Sequence, residues 1–404
     1  MLMKKILFIA CLAVFLSGCK QYDGMQAVIS KGIKRSVEQT EFLAKAMEAD
    51  HDSLPRSYTK QTGLVKSDSH WWCSGFFPGE LWYLYEATSS PKLKRYAEIY
   101  TQRVAEQQYT TDNHDIGFIL MCSFGNAYRL THSANYVPVL LNGAQSLSTR
   151  FNPVVGLIRS WDTKTDKWQY PVIIDNMMNL ELLEWAARHS DSAKFAKIAS
   201  SHARLTMKNH FRHDFSSYHV VSYDPRTGLV EKKNTHQGYA HESAWARGQA
   251  WGLYGYTMMF RETGDSIYLN HAKGIARFIM SHPNMPKDKI PYWDFNAPDI
   301  PHAKRDASAA AIMAAAFIEL SCLTKESPDF SKQCLNMAGM QLRSLTSDEY
   351  LAKKGTNGGF ILKHSVGNYP KGTEVDVPLT YADYYYVEAL VRYKKLLQKP
   401  IVDK

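Results

Sequence analysis

An all-α fold, an (α/α)6 barrel of six inner helices ringed by six outer ones, is predicted by three observations. Six segments spread along the chain are helical in pattern and apolar on nearly all sides. Amphipathic segments alternate with them, and strand signals are few. A helix apolar all round must be buried on more than one side, whereas an amphipathic helix keeps a face for solvent. Alternating the two kinds about six times closes a ring with the first kind inside. The units start about 40–75 residues apart, long for solenoid repeats of about 20–50 residues. A tandem solenoid, the alternative, would also repeat more regularly.

Taken in order, the chain opens outside this pattern. "MLMKKILFIACLAVFLSGC" has a basic start, Lys4 and Lys5, then an apolar run too short for an ordinary membrane span. This is the pattern of a secretory signal. Its end, Leu16-Ser17-Gly18-Cys19, resembles a bacterial lipoprotein box, in which the Cys is lipidated and becomes the new N-terminus. Residues 1–19 are therefore expected to be a signal peptide and 20–30 a short tether. The expected location is the periplasm or outer membrane, with attachment to the membrane through the lipid on Cys19. No Gly/Ser-rich or Pro-rich linker follows, so 31–400 is expected to form a single domain.

The first inner unit starts at Gly75, "GFFPGELWYLYEATSS", and the second at His114, "HDIGFILMCSFGNAYRLTHS". The third is "IIDNMMNLELLEWAARHS" and the fourth "WARGQAWGLYGYTMMFRETGD". "RDASAAAIMAAAFIELSCLT" and "YADYYYVEALVRYKKLL" complete the six. Several close on a Thr/Ser/Gly/Asp cluster that stops a helix. Between them lie amphipathic stretches such as "SPKLKRYAEIYTQRVAEQQ", "SAKFAKIASSHARLTMKNHF" and "SIYLNHAKGIARFIMSH". "SYHVVSYDPRTGLVEKKN", with β-branched and aromatic residues around a Pro/Gly turn, predicts a short hairpin.

In such a ring the inner helices present their starting ends to one face, where a pocket would collect them. Those starts are unusually polar and aromatic: Trp72, His114, Asp115, Asp175, Asn176, Arg247, Gln249 and Asp306. Asp115 and Asp175 are the acid/base candidates, because burial raises a carboxyl pKa toward neutrality. Helix capping is the competing reading, since Asp is a favoured N-cap. Trp71, Trp72, Phe76, Phe77, Trp161, Trp245, Trp251 and Trp293 crowd near the starts, and divide between core packing and faces that stack on sugar rings. Arg247 stands in an apolar stretch and needs an anion, either a structural Asp/Glu or a ligand carboxylate.

The formal charge of +9 suits an anionic partner but fixes no chemistry. No Lys/Arg-rich run marks a nucleic-acid partner. Of the six Cys, Cys73, Cys122, Cys322 and Cys334 are widely spaced, with no zinc-ligand pattern, and are expected as buried thiols. His219, His236 and His241 show no regular metal spacing, so no metal is expected. There is no P-loop, GxSxG elbow or dinucleotide fingerprint.

Taken together, "GFFPGELW", "HDIGF", "IIDNMMNLELLEWA", "HQGYAHESAWARGQAWGLYGY", "RDASAAAIMAAAFIEL" and "YADYYYVEAL" resemble the unsaturated glucuronyl hydrolases of glycoside hydrolase family 88. The resemblance runs from about Trp71 to Leu390. It implies an (α/α)6 catalytic domain with no cofactor. The implied substrate is an oligosaccharide from a polysaccharide lyase, with a 4,5-unsaturated uronic acid at its non-reducing end. On this pattern Asp175 is the general acid/base and Asp115 the second essential carboxylate, with His114 beside it. Asn176 would help bind the ring. Trp72, Trp161 and Trp251 would stack, and His219, Gln237 and Arg247 would make further contacts. Trp72 against Trp71, and His219 against His236, stay open. In "HSVGNYPKGTEVDVP", Ser365 and Lys371 are candidates for contacts to substrate sulfate. The rivals are an unsaturated rhamnogalacturonyl hydrolase acting on pectin fragments, a polysaccharide lyase, and a non-catalytic lipid-anchored glycan-binding protein. The oligomeric state is not legible.

Overall fold

The computed structural model describes residues 2–162 and 167–398, with side chains from residue 24 onward. Its helices are α1 Leu2–Ala46, α2 Phe76–Thr88, α3 Pro91–Gln102, α4 Ile116–Leu120, α5 Asn126–Thr131, α6 Val137–Ser148 and α7 Leu180–Arg188. They continue as α8 Lys194–His210, α9 Ala246–Thr263, α10 Ser266–Ser281, α11 Ala307–Leu323, α12 Pro328–Leu345 and α13 Thr380–Gln398. α2, α4–α5, α7, α9, α11 and α13 pack in succession, and α13 returns to α2, which closes the inner ring. α3, α6, α8, α10 and α12 lie outside, each against an inner neighbour. α1 is the sixth outer helix, packed on α13 and α2.

The burial pattern gives the reason. Every residue of α11 from Ala307 to Ile318 is buried, as is all of α13 from Thr380 to Val391. The outer helices are buried on one face only, as in α3 through Leu93, Tyr96, Ala97 and Tyr100. Small residues let the inner helices approach. A Cβ on Gly75 or Gly79 of the first unit would collide with the backbone of Ile119 and Cys122 in the second. α9 stops at Gly264, whose φ of 70° an L-residue disfavours and whose N–H reaches back to Phe260 O.

Two expectations need correction. Residues 20–30 are helical within α1, and Met25 and Ile29 are 2% and 1% exposed in the main core. The chain is thus already packed at Met25, and this stretch is no free tether. Side chains of the leader, Cys19 included, lie outside the described residues, as do residues 399–404. The second inner unit is also not one helix. A π turn, Met121–Gly125, separates α4 from α5, and Ser123 Oγ donates to Ile119 O at 2.5 Å. Such a back-bond competes with the helical ladder, and π turns are over-represented at functional sites.

The strands are excursions on the ring. They are β1 Leu54–Thr59, β2 Gly63–Ser67, β3 Phe151–Asn152, β4 Leu157–Ile158, β5 Tyr170–Ile173, β6 Val220–Tyr223, β7 Val230–Asn234, β8 Ser365–Asn368 and β9 Thr373–Val377. β6 and β7 form the predicted hairpin, and β5 joins it as an antiparallel edge strand. Pro171 is tolerated in β5 because an edge strand has a side with no ladder partner. Cys73, Cys122, Cys322 and Cys334 are free thiols, and all but Cys322 are buried. Among the described residues no helix is long and apolar enough to cross a membrane.

Candidate active site

The starting ends of the inner helices converge on one mouth, as the sequence pattern requires. There Trp72, His114, Asp115, Trp161, Ile173, Asp175, His236, Gln237, Arg247 and Lys371 line a cavity of about 400 Å³.

The sheet register places the central carboxyl. Ile173 of β5 pairs with Val220 of β6, and Ile174 N donates to His219 O at 3.1 Å. The chain then turns into a 3-10 segment, Ile174–Asn179, which carries Asp175 ahead of α7. Its neighbour across the register is His219. The Nδ1 of His219 accepts two backbone N–H groups, from His236 and Gln237, both at 3.1 Å. The ring proton therefore sits on Nε2, which faces Asp175 Oδ2 at 3.6 Å.

A strap from the second unit's side fixes the other carboxyl. Ser160 O accepts from His114 N, and Ser160 Oγ accepts from Ile173 N, both at 2.9 Å. The same short segment thus ties the start of α4 to the end of β5, and with them Asp115 to Asp175.

Backbone geometry decides which of these aspartates are caps. Asp306 is a cap: its Oδ1 accepts from Ser308 N at 3.0 Å and Ala309 N at 3.4 Å, at the head of α11. Asp115 stands at the N-cap position of α4 but makes no capping bond. Asp175 makes none either, and its buried Oδ2 has no hydrogen-bond partner from the described chain.

Electrostatics separate them further. Burial pushes the Asp175 carboxyl up to about 7, against the pull of the Arg247 charge and the Trp251 indole. Burial first, and the Asp175 charge second, push Asp115 up to about 8. Both carboxyls therefore titrate near neutrality. Burial holds His114 down at about 3, and His236 at about 4, so both rings are neutral there.

Stability inherits a pH dependence from this desolvation. Asp175 rises from an ordinary 3.8 to about 7 on folding. Its contribution to the folded state is therefore full below pH 4 and is lost as pH rises through about 7. Thermal melts of the Asp175→Asn variant should gain on wild type between pH 5 and pH 8, by at least about 2 °C. A constant offset across that range would mean that the carboxyl is not desolvated.

Arg247 is 1% exposed and its partner Asp306 is fully buried. Nη1 lies 3.3 Å from Asp306 Oδ2 and also donates to Val366 O, while Nη2 donates to Gly367 O at 2.6 Å. Structural partners thus take both terminal nitrogens, and the anion among them is Asp306. Nε has no partner from the described chain, and the side chain still borders the cavity. Gln237 Nε2 donates to the same Gly367 O at 3.0 Å, which ties β8 to the cavity wall.

Three expected contacts are not on the wall. Asn176 is fully buried, and its Nδ2 donates to Ile158 O at 2.8 Å. One step along a 3-10 turn rotates a side chain by about 120°, so the neighbour of Asp175 points into the protein. Trp251 is fully buried between Phe118 and Tyr385, with centroids 5.1 and 5.4 Å away. His219 lies behind Asp175. Of His219 and His236, the one on the wall is His236, with its ring 5.9 Å from Trp161 and 5.7 Å from Trp168. Trp72 lines the cavity, whereas Trp71 is 37% exposed under Arg56. Gln249 is structural, accepting from Ser217 N at 2.6 Å. Ser365 is fully buried, while Lys371 stands at the mouth. Among the described residues no group of three or more His, Cys, Asp or Glu could hold a metal ion.

A helical ring whose mouth holds two raised carboxyls between tryptophans defines the class of a carbohydrate-processing enzyme. Residues 46–289 match the family model described as Glycosyl Hydrolase Family 88. The chain is 45% identical over 350 residues to an unsaturated glucuronyl hydrolase of Formosa agariphila, covering 86% of both chains. It is 33% identical to an unsaturated chondroitin disaccharide hydrolase of Streptococcus pneumoniae, over 91% of this chain and 92% of the other. A solved unsaturated glucuronyl hydrolase described as specific for heparin superposes with a TM-score of 0.86 at 48% identity, over 91% of this chain and 98% of that one. The chain belongs to glycoside hydrolase family 88, and it is a glycoside hydrolase.

Proposed function

We propose that this enzyme removes the 4,5-unsaturated uronic acid from the non-reducing end of lyase-generated oligosaccharides, by hydrating the C4=C5 double bond. The observation that carries this reading is Asp175: a buried carboxyl on the cavity wall, poised at about 7 and not used as a helix cap. A group that is half protonated near neutrality can give a proton and take one back.

The steps follow from that. The Asp175 carboxyl delivers its proton to C4, and the π electrons of C4=C5 form the new C–H bond. Positive charge develops at C5 and is shared with the ring oxygen. Water adds to C5, and the Asp175 carboxylate accepts the proton that water loses. The resulting hemiketal opens and releases the neighbouring sugar. Asp115 accepts hydrogen bonds from sugar hydroxyls, Trp72 and Trp161 flank the ring, and His114 and Gln237 border it. Arg247 and Lys371 supply positive charge facing the uronate carboxylate. Asn176, His219 and Trp251 act from behind the wall, by holding Asp175.

A glycosaminoglycan source is supported by relatives named for heparin and chondroitin disaccharides, and by Lys371 at the mouth. Purified protein should extinguish the ultraviolet absorbance of the conjugated C4=C5 carboxylate in sulfated and unsulfated glycosaminoglycan disaccharides. An unchanged signal on all of them would favour the pectin-type hydrolase or a binding protein. A rising signal on intact polysaccharide would make this a lyase.

The same reading has the protein exported and anchored by a lipid on Cys19, in the periplasm or outer membrane. Metabolic labelling with a fatty acid should mark the wild-type chain and not Cys19→Ser. Equal labelling of both would end the lipoprotein reading.

A further inference from the structure

The ring has a second cavity at its opposite mouth, where the inner helices end. It is larger than the first, about 500 Å³, within the range of about 300–1,000 Å³ typical of small-molecule sites. Phe118 borders it and packs on Trp72 and Trp251, so one aromatic layer separates it from the candidate active site.

Two features give this cavity a chemistry. First, its charges are already matched. Arg129 donates to Glu86 in a two-point fork at 2.9 and 2.8 Å. Arg261 reaches Glu319 at 2.8 Å, and Arg392 reaches Glu319 and Glu388, both at 2.9 Å. Arg188 pairs with Glu262, Arg261 also with Glu181, and Lys395 with Glu86, so among the described residues neither an anion nor a cation finds an uncompensated charge there. Second, Glu388 is 1% exposed and lines the cavity with half its carboxylate unused. Its Oε1 accepts from Tyr83 OH at 2.6 Å, Tyr254 OH at 2.9 Å and Arg392, while Oε2 has no partner from the described chain. A buried acceptor left without a donor is costly. The rest of the wall is rich in aromatic rings, such as Tyr128, Trp185 and Tyr384.

We propose that this mouth is a second carbohydrate site, taking a small neutral sugar whose hydroxyl donates to Glu388 Oε2 while its ring lies against the aromatic wall. Matched ion pairs offer hydroxyl groups both donors and acceptors without favouring a charged ligand.

The test is direct binding, followed by ligand-observed NMR on the full chain, with glucose, galactose and N-acetylglucosamine as probes. At least one should bind saturably, and sulfate and ammonium should not. Binding should persist in Trp161→Ala, which removes a stacking face from the first mouth only. It should weaken at least tenfold in Met121→Trp, where a larger side chain fills the second cavity and leaves the Glu388 network intact, and also in Glu388→Gln. Met121→Trp should still turn over an unsaturated disaccharide like wild type, which shows that it is folded. No saturable binding by any of the three sugars would overturn the proposal. So would binding that survives Met121→Trp, binding that disappears in Trp161→Ala, or saturable binding of sulfate or ammonium instead. None of these binding readouts depends on which substrate the first mouth hydrolyses.

Discussion

Asp175→Asn lowers kcat on an unsaturated disaccharide by about 10²–10⁴-fold, the range for a positioned acid/base, and leaves substrate affinity close to wild type. The substitution keeps the shape and removes a transferable proton. The size of the effect depends on whether any neighbour can substitute, and the geometry argues that none can. His114 and His236 are held neutral by burial, near 3 and 4, and have no proton to give at pH 7. Among the described residues Asp115 is the one other carboxyl on the wall with a raised value, about 8, but the Asp175 charge is part of what raises it. Removing that charge lets the Asp115 pKa fall, so the variant also loosens the hold of this neighbour on its proton. In wild type, kcat/KM should fall on the alkaline side as the pair loses its proton. Steady-state kinetics paired with calorimetric binding to the inactive variant check this. More than about a tenth of wild-type kcat in the variant, well outside that range, would mean that the proton comes from elsewhere.

How far the sequence led is clearest from particular residues. The six inner helices were legible because burial on all sides leaves few positions for a charge, and none in the run from Ala307 to Ile318. α1 was not legible as an outer helix. Its buried face includes Ser36, Gln39 and Thr40 beside Met25, Ile29 and Leu43, so no clean apolar stripe announces it. The three aspartates at the inner helix starts look alike in sequence. Capping depends on backbone geometry, which only the fold supplies, and Asp306 caps whereas Asp115 and Asp175 do not. Side-chain direction was equally hidden. Asn176 adjoins Asp175 in the chain but faces Ile158, and Trp251 shares the start of α9 with Arg247 but lies in the core. His236 reaches the wall only because the β6–β7 hairpin folds back over His219, a register that depends on β5.

The Arg247→Met variant should be destabilised by about 3–5 kcal/mol, the cost of leaving one member of a buried ion pair uncompensated. At about 2 °C per kcal/mol for a large domain, melts at a fixed scan rate should show it plainly. The side chain left behind is Asp306, fully buried and holding the head of α11, and the carbonyl of Val366 loses a donor as well. If charge is the cause, neutralising the partner should restore much of the loss. Asp306→Asn keeps an acceptor for Ser308 N, and combined with Arg247→Met it should raise the melting temperature above that of the single variant, although it removes another native group. The pair also couples to the chemistry, because the Arg247 charge is the strongest influence holding the Asp175 carboxyl down. Arg247→Met should therefore move the alkaline limb of kcat/KM upward as well as weaken binding of the uronate. A melting temperature equal to wild type, or a double variant no more stable than the single, would show that solvent or the β8 backbone, and not Arg247, balances Asp306.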